Sequence, residues 1–314
     1  MAAGPPAATG TSILTAPRTV ARWLPLEPGV YRFRDGAGKV LYIGRARNLR
    51  RRVQSYWTNL GDRPQLVGMV RRIARIEGVW CDSEHEAAWL ERNLLEHSKP
   101  RWNRTEGGAE VAGYIRFDAG PSRPGLRFAH TVTATAPHFG PYLGGLRIRQ
   151  AISALHRVLP LPYTAAADGS AREFARLFGI GPGDRETLAR TAIAVLERNP
   201  AAVTALRAEL VRRRDRAAAE LRFEFAAKLQ DEIAAFDWIV AEQKVSRLEP
   251  HDVDVYGWAD GVLVRFQMEA GRMCTWTQRA ASEETARDRV AATPALWRAF
   301  AQRNAELAAR LLRD

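Results

Sequence analysis

Between Pro200 and Pro250 the chain contains neither glycine nor proline, and so long a run without a helix breaker specifies long helices. The apolar phase slips at Leu221-Arg222-Phe223-Glu224-Phe225, where hydrophobic residues alternate instead of recurring at helical spacing. Residues 201–245 are therefore read as a two-helix hairpin that bends at that point. Punctuation elsewhere is heavier. Residues 105–145 are rich in Gly and Pro, with one candidate strand at Tyr114–Phe117. An amphipathic helix follows, with Ile148, Ile152, Leu155 and Leu159 on one face. After Pro250 the pattern becomes that of strands. Val253 and Val255, then Val262–Met268, then Arg272–Thr277 make a meander turning at Ala259-Asp260-Gly261 and Glu269-Ala270-Gly271. Thr293-Pro294 opens a last helix through Trp297, Phe300, Asn304, Leu307 and Leu311.

The first third reads as a small α+β domain. Val30–Arg34 alternates like a strand, Asp35-Gly36-Ala37-Gly38 turns, and Lys39–Gly44 returns. Asn48 caps a short helix, a second helix begins near Pro64 and stops before Gly78, and Val79–Cys81 is a third strand. Ser83 and Glu86 form a capping box for a third helix that ends before Pro100. The expected segments are a disordered arm over 1–20, the α+β domain over 21–105 and a linker and helical region over 106–200. The hairpin over 201–245 and the meander with its C-terminal helix over 250–314 complete them.

Charge narrows the function. Forty-seven Lys and Arg stand against 35 Asp and Glu, a net charge of +12, and residues 1–110 hold 18 of these cations against 11 anions. Such an excess suits a phosphate-bearing partner. Two cysteines, Cys81 and Cys274, cannot build a disulfide framework. No apolar run approaches the ~20 residues of a membrane span, and the Ala/Gly/Pro/Thr-rich residues 1–17 lack the features of a signal peptide. A cytoplasmic protein with no membrane contact is expected.

Three features of the first domain carry chemistry. Tyr31 and Tyr42 lie on paired strands and can present hydroxyls to one surface, although tyrosine is also an ordinary strand residue. Arg45–Arg52 contains five arginines. On the helix, Leu49, Arg52, Val53 and Tyr56 share one face, so Arg52 turns toward the sheet while Arg50 and Arg51 face outward. A guanidinium on an apolar face needs an anionic partner. In the third helix Glu91 lies on or beside the stripe of Ala87, Leu90 and Leu94, where its carboxylate requires a metal or a cation such as Arg52.

The set Gly29-Val30-Tyr31, Tyr42-Ile43-Gly44, Arg52, Tyr56, Glu91 and Asn103 resembles the GIY-YIG nuclease domain, in the version of the UvrC family. Leu24-Pro25, Gly44–Leu49, Glu91–Leu95 and Lys99–Asn103 extend the likeness. The resemblance implies that Tyr42 or Tyr31 helps deprotonate a water, with Arg45 and Arg52 lowering the phenol pKa. It further implies that Arg52 neutralises the attacked phosphate and that Glu91 holds one Mg²⁺ or Mn²⁺. Tyr56 and Asn103 orient the site, and Arg47, Arg50 and Arg51 contact DNA. Arg45 stands where the family usually has Lys, which puts a proton-shuttling role there in doubt.

Residues 218–233 resemble the UVR motif that docks on the UvrB helicase, with Phe223, Phe225, Leu229 and Ile233 as partner-binding residues. Packing of the hairpin onto the chain's own meander is the other reading. The RNase H-like and helix-hairpin-helix parts of UvrC find no counterpart. The architecture resembles the shortened homologue Cho, which makes one incision on the 3′ side of a lesion. Leu161–Gly181, near the iron–sulfur ligands of some relatives, contains no Cys, so no iron–sulfur cluster is expected there. A catalytically degenerate adaptor for DNA and UvrB, or a nuclease outside repair, are the alternatives.

Overall fold

A computed structural model describes residues 17–58, 60, 63–103, 111–165, 173, 175–177 and 179–313. Among the described residues, three antiparallel sheets of three strands organise the fold. The first has the order β2-β1-β3, from β1 (Gly29–Arg34), β2 (Val40–Ala46) and β3 (Arg75–Trp80). One face carries Tyr31, Phe33 and Leu41 and is covered by helix α1 (Leu49–Thr58) through Leu49, Val53 and Tyr56. The other face carries Val30, Ile43 and Val79 and is covered by helix α2 (Glu84–His97) through Ala87, Leu90 and Leu94. Each such apolar side chain, once buried, stabilises by about 1.5–3 kcal/mol. Asn48 caps α1 by accepting from the Arg51 N–H at 2.9 Å. Ser83 caps α2 by accepting from the Glu86 N–H at 3.0 Å, while the Glu86 carboxylate accepts from the N–H groups of Asp82 and Lys244 at 2.7 and 3.0 Å.

Two expectations for this domain are corrected. Pro64–Val70 holds only a 3₁₀ turn and a single helical turn, and the third strand begins at Arg75 rather than Val79. The charged residues that looked unlike a strand form a cross-strand ion cluster. The Glu77 carboxylate, 2% exposed, receives Arg32 at 2.5 Å, Arg34 at 3.0 Å and Arg75 at 3.3 Å. The expected disordered arm lies outside the described residues up to 16, but Pro17–Trp23 is helical and buries Val20 and Ala21.

The region 106–200 is more than a linker. Beyond the expected strand at Tyr114–Phe117, β4 (Ala112–Asp118) pairs with β5 (Gly125–Ala129) and β6 (His138–Leu143), and α3 (Gly145–Val158) lies on this sheet. Helix α4 (Arg185–Leu196) joins the same core. The hairpin consists of α5 (Pro200–Ala219) and α6 (Phe223–Val240), with Leu221 left-handed at φ 58° in the bend. Leu206, Leu210, Ile233 and Phe236 of the hairpin are buried against α3 and the second sheet, not against the meander.

The meander is β7 (Val253–Ala259), β8 (Val262–Glu269) and β9 (Arg272–Ala280), followed by α7 (Glu283–Ala291) and α8 (Ala295–Leu312). Its core merges with the first domain. Trp276, Trp297 and Phe300 share one cluster with Val30 and Leu90, and Leu307 and Leu311 join the cluster of Tyr31 and Phe33. Gly257 permits this packing, since a Cβ there would lie 2.1 Å from the Ala301 carbonyl oxygen. Asn304 of α8, 1% exposed, pairs with the outer edge of β3, accepting from the Trp80 N–H at 2.7 Å and donating to its carbonyl at 3.1 Å. Among the described residues, no helix is long and apolar enough to cross a membrane.

Candidate active site

The site is built around β2, an edge strand. Antiparallel register sets Tyr31 opposite Gly44 and Phe33 opposite Tyr42, so these side chains share the α1 face. Gly44 is required by that arrangement. A Cβ there would lie 2.5 Å from the Tyr31 hydroxyl and 2.7 Å from the Tyr42 ring. Gly29 is equally constrained, with the Val79 carbonyl 2.1 Å from where a Cβ would stand. The glycines of both motif halves are thus places where an aromatic side chain or another strand passes too close for any other residue.

Tyr31, Tyr42 and Tyr56 form a cluster with ring centroids 5.9–6.2 Å apart. The hydroxyls of Tyr31 and Tyr56 are hydrogen-bonded at 2.7 Å. Arg52, half-buried, lies over the Tyr56 ring with its guanidinium carbon 5.6 Å from the centroid. Burial opposes the Arg52 charge, but the phenols facing it hold its pKa above the usual value. Burial pushes the Tyr31 and Tyr42 pKa values well up, neighbouring phenols add to this, and Arg52 only partly opposes it. The expectation that Arg45 and Arg52 depress a tyrosine pKa is therefore corrected: desolvation outweighs the cations, and both phenols are neutral at neutral pH.

Glu91 approaches from α2. One carboxylate oxygen accepts from the Arg45 N–H at 3.0 Å, and the other meets the Arg45 guanidinium at 3.2 Å. Its cation is thus Arg45, not Arg52. The side chain remains 21% exposed, and its charge reaches Tyr42. Oxygen of this kind, open to solvent beside a strand edge, fits a hard divalent cation. Asn103 lies along the open edge of β2. Its amide oxygen accepts from the Ile43 N–H at 3.0 Å and its nitrogen donates to the Ile43 carbonyl at 2.8 Å, so it substitutes for a missing strand beside β2.

The steering arginines separate. Arg51 is exposed. Arg50 does not face outward as expected: it is half-buried and donates to the Leu24 carbonyl at 2.7 Å, fastening the segment before β1. Arg47 is exposed and meets Glu84 at 2.9 Å. Arg63, which the sequence reading missed, places its guanidinium carbon 5.7 Å from the Tyr56 centroid. It stands in a loop, where no periodicity could have singled it out.

On the hairpin, Phe223 is 65% exposed, and Phe225 is partly buried between the guanidinium groups of Arg157 and Arg222. Leu229 and Ile233 are 0% and 2% exposed, which corrects their assignment to a partner surface. Leu229 packs on Ala217 and Ala226, and Ile233 on the core of the second sheet.

Residues 27–104 match the UvrC-like GIY-YIG domain family, so the class that fold and site define is the GIY-YIG endonuclease domain. The UvrABC system protein C of Syntrophotalea carbinolica is 32% identical over 248 residues, 74% of this chain and 40% of that protein. The UvrABC system protein C of Synechocystis sp. is 31% identical over 290 residues, 84% of this chain and 45% of that protein. Among solved structures, the GIY-YIG N-terminal endonuclease domain of UvrC from Thermotoga maritima, bound to magnesium, is 33% identical. That match covers 27% of this chain and 93% of the solved one, with a TM-score of 0.25. The chain is a homologue of UvrC over about three quarters of its own length, and spans less than half the length of these curated relatives.

Proposed function

We propose that the protein is a divalent-cation-dependent endodeoxyribonuclease of nucleotide excision repair, making one incision on the 3′ side of a lesion. The observation that carries the reading is the convergence beside β2 of Arg52 with three tyrosines and, at the strand edge, of Glu91, 21% exposed. Glu91 is the residue that would hold one Mg²⁺ or Mn²⁺, and such an ion, when bound, supplies Lewis-acid stabilisation of charge on the reacting phosphate.

The rest is done by the chain. Arg52 stays charged and meets the phosphate whose negative charge grows as water adds. The water oxygen joins phosphorus, the phosphorus–O3′ bond breaks, and the proton given up by the water reaches O3′ through solvent, leaving a 5′-phosphate and a 3′-hydroxyl. Tyr31 or Tyr42, held as neutral phenols, orients the attacking water through a hydroxyl oxygen. Acting as a base would require the phenolate that burial disfavours. Arg51 and Arg47 attract the DNA backbone without reading sequence.

Loading by a UvrB-type helicase is proposed at the hairpin bend, where Leu221 is 73% and Phe223 is 65% exposed. Deleting residues 201–245 is a poor test, because Ile233 and Phe236 belong to a core shared with the second sheet. Phe223→Ser is the suitable variant, expected to keep basal nicking and lose stimulation by the helicase. Persisting stimulation refutes the docking site.

For the chemistry, Glu91→Gln keeps an acceptor for the Arg45 N–H and removes the charge. Nicking of a lesion-containing duplex with Mg²⁺ should fall by roughly a hundredfold or more while DNA binding persists. Undiminished nicking would remove Glu91 from the mechanism.

A further inference from the structure

A second group of donors lies at the other end of α2. His97 Nε2, Glu269 Oε2 and Cys274 Sγ come from the last residue of that helix and from β8 and β9, and their ligand atoms lie within 4.8 Å of one another. The imidazole and carboxylate are already 3.5 Å apart. Donors around a tetrahedral Zn²⁺, with bonds of about 2.0–2.3 Å, sit about 3.5 Å from each other. The imidazole–carboxylate pair already has that spacing, and the thiol lies within 4.8 Å of both.

Two features of the backbone and its surroundings favour a ligand here. Across the meander, Gln267 pairs with Thr275 and Met268 with Met273, so Cys274 is the extra residue of a β-bulge, a device that re-aims a side chain. Glu269 is oriented from behind: the Gln267 amide donates to its Oε1 at 2.7 Å, and the Thr275 hydroxyl donates to Gln267 at 3.3 Å. Outer hydrogen bonds of this kind fix a liganding carboxylate while its second oxygen stays available. The Arg272 guanidinium is engaged by Glu96 and the Asn93 amide oxygen, while its backbone carbonyl accepts from the Cys274 thiol at 3.2 Å.

We propose that His97, Glu269 and Cys274 bind a borderline transition-metal ion, Zn²⁺ by class, with a water in the fourth position. A thiolate and an imidazole select against Mg²⁺ and Mn²⁺, so this ion is distinct from the one proposed at Glu91. Binding removes the thiol proton to solvent and forms a metal–sulfur bond, and Zn²⁺ neutralises the thiolate and carboxylate. The ion staples the C-terminal end of the helix that carries Glu91 to the turn between β8 and β9.

The test uses the full chain, free of any affinity tag and stripped with chelator, titrated with Co²⁺ alone. One equivalent should bind, with a thiolate-to-cobalt charge-transfer absorption that Zn²⁺ displaces. Cys274→Ser should abolish the absorption. His97→Gln alters a half-exposed side chain that the core does not need, and should weaken binding by at least about tenfold, the loss caused even by removing an outer-sphere partner. Glu91→Gln should bind Co²⁺ as the unaltered chain does. The site is refuted by absence of the absorption, by its survival in Cys274→Ser, or by unchanged affinity in His97→Gln. The last variant decides if Cys274→Ser fails to fold.

Discussion

The nuclease sheet has two edges, and they are closed by different means. Along β2, the Leu41 carbonyl accepts from the Trp102 N–H at 3.3 Å, Ile43 exchanges two hydrogen bonds with Asn103, and the Arg45 N–H goes to Glu91. Along β3, Asn304 exchanges two hydrogen bonds with Trp80, and Arg303 adds a third to the same carbonyl at 3.2 Å. Each edge is sealed mainly by side chains where another strand could have paired. The β3 seal is buried and belongs to the core. The β2 seal is partly open to solvent, and its last member is a carboxylate that is 21% exposed. An edge closed in this way can be stable and still hold the reactive groups at its margin.

The sharpest way to break that comparison is Asn304→Ala. It leaves the Trp80 N–H and carbonyl without their amide partner inside the core, and should cost roughly 2–4 kcal/mol in urea denaturation. Asn103→Ala should cost only about 1 kcal/mol, because Asn103 is itself half-buried and water can take the place of its amide beside β2. Its nicking rate should nevertheless drop about tenfold, since β2 carries Tyr42 and Arg45 and is no longer held in place. Equal stability losses in the two variants, or full activity in Asn103→Ala, would erase the distinction.

The smallest effect concerns pH and sits on the sealed side. Burial pushes the Glu86 pKa up from 4.5 to about 7, so the folded chain keeps a proton that the unfolded chain releases. Stability from this group is full below about 4.5 and declines up to about 7. His85 and His156, pushed by burial down to about 3 and about 4, act in the opposite sense, and stability from them rises up to the unfolded histidine pKa of 6.5. Glu86→Gln removes the opposing slope, so its stability should climb more steeply than wild type between pH 4.5 and 6.5. Parallel profiles in denaturation across that range would show that Glu86 does not titrate there.

Much of this was legible in the sequence, but unevenly. Local signals served well: the Asn48 and Ser83 caps, the hairpin bend near Leu221 and both meander turns follow from residues a few positions apart. The residue set Tyr31, Tyr42, Arg52 and Glu91 could be singled out by spacing and family likeness. What each residue touches could not, because the partner is chosen by chain crossings many residues apart. Asn103 meets Ile43 only where residues 100–103 pass β2, and Glu91 takes Arg45 because β2 lies nearer than α1. The apolar excess of the hairpin was visible as well. Its destination was hidden in a Gly/Pro-rich stretch that conceals a sheet, where Gly113 leaves room for Phe128, 2.3 Å from an added Cβ.

The placement of α8 also sets an order in time. The strands and tyrosines of the nuclease unit leave the ribosome early, yet the outer rim of β3 and the floor beneath Tyr31 wait for Asn304, Leu307 and Leu311. A nascent chain therefore carries Tyr31, Tyr42 and Glu91 long before α8 completes the packing around their sheet.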